Sequence, residues 1–156
     1  MKRFFYWVII ASAFYGCTNT KAVVGSEADR AALAQTSKMI QAAFAKGDVK
    51  EVMKYHHPDV VKALSYGTYL AGRKSVEANL AGTFKTFKLQ FIENKVENVF
   101  FEGETATQLN LFTIKGTPKA GGKPFVFKGR AIVVYLKYKG SPTGWASIRE
   151  VVQPAP

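Results

Sequence analysis

Cysteine is nearly absent: Cys17 is the one example in 156 residues. No intrachain disulfide can form, and no zinc site of the cysteine type. The two histidines, His56 and His57, are adjacent. Neighbours in a helix or strand point in different directions, so they make poor joint ligands, and no metal or cofactor is expected. The chain has no Gly-rich phosphate loop, no nucleophile motif and no internal repeat. Its longest apolar run spans about eleven residues, against the roughly 20 that a membrane-spanning helix needs. Acidic residues are half as frequent as basic ones, 11 against 22, for a formal charge of +11. The basic residues are spread along the chain rather than packed into a Lys/Arg block, which argues against a nucleic-acid partner.

What is present is enough for a core. With 47% hydrophobic and 13% aromatic residues, a chain of this length is expected to form one domain.

The first residues read as a targeting segment. Lys2 and Arg3 supply a positive start, and Phe4 to Phe14 are uncharged. The run Phe14-Tyr15-Gly16-Cys17 resembles a bacterial lipoprotein signal: an aliphatic residue, a small residue, Gly or Ala, then Cys. Gly16 and Cys17 match, while Phe14 and Tyr15 depart from the first two positions. The resemblance implies removal of residues 1–16, a lipid attached to Cys17 with acylation of the new N-terminus, and a membrane anchor on an exported protein facing the periplasm or the cell surface. Residues 17–25 then form a tether, residues 26–152 the folded domain, and residues 153–156 a tail. Loss of Lys2 and Arg3 would leave a charge of +9.

Ser26, followed by Asp29, starts the first helix, which Gly47 stops. Its apolar stripe is Leu33, Ser37, Ile40 and Phe44, with Ala43 beside it. Asp48 and Glu51 form a capping box for a short second helix that ends before Pro58. Val60 to Leu64 reads as a short strand. A third helix over 74–87 carries Val76, Leu80, Thr83, Phe84 and Phe87 on one side. From Leu89 onward the period changes to two. Strands are expected at 89–101, with a bulge near Glu93–Val96, and at 105–115, 125–138 and 145–152, joined by turns.

This order predicts an α+β fold: a curved antiparallel sheet wrapped around three N-terminal helices to make a cone with an open mouth. Ala45-Lys46-Gly47-Asp48, His57-Pro58-Asp59, Gly67 to Gly72-Arg73, and Gly144-Trp145 carry a further likeness. Together they resemble the nuclear-transport-factor-2-like superfamily, with its ketosteroid-isomerase-like, polyketide-cyclase-like and SnoaL-like members. The resemblance implies dimerisation through the sheet. It also places an isomerase's general base at or near Ala63, where Lys62, Ala63 and Leu64 offer no carboxylate. The expectation is therefore a non-catalytic cone that binds a small molecule or a partner, with no catalytic residue assigned. The alternatives are an isomerase, dehydratase or cyclase with non-standard acid–base residues, and a dimeric scaffold.

The candidate lining residues leave several readings open. If Ala106 faces inward, so do Gln108, Asn110 and Phe112; the opposite register turns Leu109 and Leu111 inward instead. Arg130, Arg149 and Glu150 are either pocket groups or partners in a salt bridge across the sheet. Tyr55, Tyr66 and Tyr69 either rim the mouth or pack as half-buried aromatics. His56 and Asp59 could form a His–carboxylate pair, or His56 could sit at a helix C-terminus, where the dipole favours it.

Overall fold

The computed structural model describes residues 25–65 and 67–156. The targeting segment, Cys17, the tether before Gly25, and Tyr66 lie outside the described residues.

Helix α1 (Glu27–Lys46) begins where Ser26 Oγ accepts from Asp29 N–H at 3.1 Å. It ends at Gly47, whose φ of 67° is a left-handed value that glycine adopts without strain. Helix α2 (Val49–Met53) starts at once, because Asp48 accepts from Glu51 N–H at 3.0 Å. It stops well short of Pro58, and strand β1 (His56–Ser65) follows. The adjacent histidines thus open a strand instead of closing a helix. Pro58 falls where β1 pairing is interrupted, between His56 and Val61, so its missing N–H costs no ladder bond.

A second short strand, β2 (Thr68–Ala71), turns back on β1, and α3 (Arg73–Thr86) follows. Four long strands complete the chain: β3 (Phe87–Glu102), β4 (Thr105–Pro118), β5 (Phe125–Lys137) and β6 (Trp145–Pro154). With β1 and β2 they form one curved six-stranded sheet in the order β2-β1-β6-β5-β4-β3. All neighbours are antiparallel except β1 and β6, which run parallel. The expected bulge is two register shifts in β3, between Phe91 and Glu93 and between Val96 and Asn98. Each shift bends the strand and lets the sheet curl around the helices.

The helix stripes divide between two tasks. Leu33, Thr36 and Ala43 of α1 are buried, as are Val76, Leu80 and Phe84 of α3. Ser37, Ile40, Phe44 and Thr83 border a cavity, which Val76 and Leu80 also reach. One part of the core gathers Leu33, Phe101, Ala106, Tyr135 and Trp145. Another gathers Val52, Met53, Val60, Val76 and Phe84 under the three helices. Gly129 on β5 makes room for two rings of the first group, since a Cβ there would lie 2.7 Å from both Phe112 and Phe127.

The outer face of the sheet is also apolar in places. Ala63, Val151, Ile132 and Leu109 are successive cross-strand partners on β1, β6, β5 and β4. Ile132 and Val151 are 49% and 54% exposed, and Phe100 on β3 is 54% exposed. Among the described residues no helix is long and apolar enough to cross a membrane.

Candidate functional site

Side chains alternate across a strand, so the pairing register decides which residues share the concave face. Tyr135 pairs with both Ala106 and Ser147, and Ser147 with His56. The next inward row is Gln108, Val133, Glu150 and Lys62. Beyond it come Asn110, Ala131 and Val152, then Phe112 with Gly129, then Ile114 with Phe127. The concave face therefore grades from polar in its middle to apolar at the end of the β4–β5 hairpin. Between this face and the helices lies a cavity of about 280 Å³.

The charged pair at the polar end joins Lys62 Nζ to Glu150 Oε2. Their side chains are 8% and 20% exposed, so both charges are largely withdrawn from bulk water. An ammonium has three donors and a carboxylate two acceptor oxygens; this contact uses one of each, leaving capacity for a bound polar group. His56 is buried beside them, its Nδ1 2.9 Å from Val52 O. A carbonyl only accepts, so Nδ1 carries the proton and Nε2 keeps its lone pair. Burial, then the nearby Lys62 charge and then that of Arg73, hold the imidazole well below its usual range, against the Val52 contact. It is neutral at ordinary pH. Tyr135 is buried next to Ser37, and burial raises its phenol far above the usual value, so it stays protonated. Asn110 Oδ1 lines the cavity with no hydrogen-bond partner, and the buried Ser147 Oγ also lacks one.

The structure places the sequence candidates unevenly. Asn110 and Glu150 border the cavity. Gln108 is on the same inner face, but Ser37 Oγ donates to its Oε1 at 3.4 Å and it borders a separate cleft beneath α1. Arg130 does not face the cavity. It lies on the opposite side of β5 and forms a two-pronged pair with Glu97, the closer contact at 2.7 Å. Tyr55 is not a rim residue either: it is 2% exposed and its hydroxyl donates to Glu51 at 3.3 Å. Tyr69 is exposed on β2. Asp59 and His56 do not pair, for Asp59 points to solvent and approaches only His57, at 3.7 Å. Arg149 donates to the carbonyls of Asp59 and Ile148.

Sequence reasoning missed Lys62 and His56 as cavity residues. The signal was their spacing on β1: His56, Lys62 and Leu64 all turn inward, whereas Ala63 faces the outer row. β1 turns no carboxylate into the cavity, since Asp59 points to solvent; Glu150 brings one there across the ladder. Among the described residues, no group of three or more His, Cys, Asp or Glu could hold a metal.

The SnoaL-like domain family matches residues 37–140, two thirds of the chain and most of the cavity wall. The chain belongs to that family. Solved structures agree on the fold of this SnoaL-like domain. A conserved protein from Planctomyces limnophilus DSM 3776 superposes with a TM-score of 0.74 at 20% identity, over 83% of this chain and 100% of its own. A nuclear transport factor 2-like superfamily protein from Salmonella enterica serovar Typhimurium LT2 gives 0.67 at 17% identity, over 80% and 89% of the two chains. A ketosteroid isomerase-like protein from Erwinia carotovora atroseptica SCRI1043 gives 0.66 at 17% identity, over 81% and 96%. A search of curated proteins found no match.

The Lys62–Glu150 pair generates a stability prediction. Lys62→Met leaves a mostly buried carboxylate without its cation. Breaking such a pair costs about 3–5 kcal/mol when burial is complete, and the partial exposure of Glu150 lowers this to about 2–3 kcal/mol. Lys62→Met/Glu150→Leu should recover to within about 1 kcal/mol of the parent. Urea unfolding of the four proteins in the cycle measures both effects.

Proposed function

We propose that this SnoaL-like domain belongs to an envelope lipoprotein and binds, without transforming it, a small molecule that is mostly apolar with one polar head. The observation that carries this reading is the grading of the cavity. Phe91, Phe112, Ile114 and Phe127 surround the apolar part, while Lys62, Glu150, His56 and the unpartnered Asn110 Oδ1 converge at the other end. A cavity with apolar walls and a few convergent polar groups is the usual form of a small-molecule site. An apolar ligand body would fill the walls, and its hydroxyl or carbonyl would meet the free donors and acceptors.

One observation favours a second reading, an acid–base enzyme with non-standard residues. Glu150 brings a carboxylate into the cavity on the strand beside Lys62, so a proton acceptor exists there although positions 62 to 64 of β1 offer none. Binding and catalysis separate cleanly. N-Phenyl-1-naphthylamine should bind the domain saturably at one site with a rise in fluorescence, and Ala131→Phe, which fills the cavity, should abolish binding in a protein with unchanged circular dichroism. Absence of saturable binding would remove the binding reading. Hydrogen–deuterium exchange next to the carbonyl of a bound ketone, lost in Glu150→Gln with binding retained, would transfer the assignment to the enzyme.

Two features of the whole protein belong to the proposal. The lone cysteine at the end of an apolar segment supports anchoring through a lipid on Cys17, since stable attachment takes more than one acyl chain. Cys17→Ser should lose metabolic palmitate labelling and leave the membrane fraction; a variant still labelled and membrane-bound sinks the anchor. The exposed row of Val151, Ile132 and Leu109 supports pairing of two copies through the outer sheet face. Light scattering should then give a dimer for the parent domain and a monomer for Ile132→Glu.

A further inference from the structure

We propose that the lysine-rich end of the domain, formed by the α3–β3 junction and the β4–β5 hairpin, docks on an anionic lipid bilayer. This goes beyond the cavity reading and rests on separate residues.

The sequence alone spreads these lysines from position 85 to 128; the sheet gathers them. Phe87 pairs with Pro118, Gly116 pairs with Phe125, and Lys119 N–H donates to Thr86 O at 2.9 Å. Lys85, Lys88, Lys115, Lys119, Lys123 and Lys128 therefore share one end of the molecule, and all are exposed. Among the described residues none of them joins an ion pair with a carboxylate. No Asp or Glu lies between Glu104 and Glu150 in the chain. Glu93 is the one acidic residue of β3 near these six lysines, in the row of Thr113 and Lys128, while Glu102 and Glu104 sit at the opposite end of the β3–β4 ribbon. A strand of fourteen residues at about 3.3 Å per residue separates the ends by roughly 40 Å. That is several times the screening length of about 8 Å at physiological salt, so the acidic end does not neutralise the basic one.

The apolar groups between the lysines select a bilayer over a soluble polyanion. Val126 is 63% exposed and pairs across the ladder with Lys115, and Phe125 is 42% exposed at the same tip. A hydrated polyanion gives these side chains nothing to bury against. An interface of headgroups and acyl chains accepts them, while the long lysine stems reach the phosphates. The cavity also runs toward this end, for Leu89, Ile114 and Phe127 line it, each one residue from Lys88, Lys115 and Lys128. A mostly apolar ligand would then travel from the bilayer into the cone without crossing water.

The test uses residues 25–156, so that no acyl anchor contributes. This segment holds every helix and strand among the described residues and both core clusters, and the Planctomyces protein shows the same fold with its whole chain matched. In sedimentation with vesicles, it should bind phosphatidylglycerol–phosphatidylcholine mixtures, release at high salt, and ignore pure phosphatidylcholine. Each lysine near an anionic surface contributes roughly fivefold in affinity. The variant K85Q/K115Q/K119Q/K123Q should accordingly bind more than about fiftyfold more weakly. A control with equal charge removed elsewhere, K38Q/K54Q/K74Q/K139Q, should stay within about twofold, since these lysines lie away from the docking end. V126D should weaken binding even with all lysines in place. Equal binding to neutral vesicles, equal loss in both quadruple variants, or capture by soluble polyphosphate with no vesicle binding would each overturn the proposal. Naphthylamine binding in the first quadruple variant should be unchanged, so a failure of docking is distinct from a failure of the cavity.

Discussion

An ammonium and a carboxylate can share an apolar cavity only if the strands that carry them hold a single register. Lys62 and Glu150 lie side by side because β1 joins β6 in parallel, with Lys62 opposite Glu150. A slip of one residue would turn Lys62 to the outer face and leave Glu150 buried alone. The same slip would move Ala63 inward and break the apolar row that it shares with Val151. Hydrophobic patterning on the outer face and charge pairing on the inner face therefore impose the same register. The irregular pairing between His56 and Val61 confines the Pro58 interruption to the start of the strand, before the charged row is reached.

The cavity follows from how the sheet bends and how the helices meet it. The two shifts in β3 carry Phe91 and Asn94 toward the helices. Helix α1 then offers two adjacent stripes. Leu33, Thr36 and Ala43 close against the core, and Ser37, Ile40 and Phe44 stand one position around the helix, where the sheet has curved away. The room left is bounded by large rings at one end and by hydrogen-bonding groups at the other. Phe44 meets both Phe84 and Phe91 edge-on, which ties α1, α3 and β3 together at the cavity wall. The same contacts that hold the helices on the sheet thus set the shape of the space beneath them.

Much of this was legible in the sequence. Ser26, Gly47 and Asp48 announced the helix ends through local chemistry, and period-two patterning marked all four long strands. Short strands were harder. Residues 68–71 carry no alternation long enough to separate a strand from a turn, and the histidines at 56 and 57 looked like a helix end because the stop at Met53 has no glycine to signal it. The inward turn of Asn110 could not be settled from pattern, because Leu109 and Leu111 made the opposite register equally apolar. The structure resolves that conflict: Leu109 joins the apolar outer row, and the amide at 110 borders the cavity. Arg130 was ambiguous for a related reason. Its fate depended on Glu97, a residue 33 positions away on a strand that is not its neighbour.

The position at Ala63 shows why spacing along one strand is a limited guide to chemistry. Counting along β1 finds no carboxylate at positions 62 to 64, and the strand's one carboxylate, Asp59, points to solvent. That count cannot register that Glu150, almost ninety residues later, lies in the same row through strand pairing. Glu150 enters the cavity already held against the Lys62 ammonium. The same pair is costly to desolvate and adds little net stability over apolar residues of similar size. The row that faces the cavity thus holds a charged pair that packing alone does not require, with donors and acceptors left over on both partners.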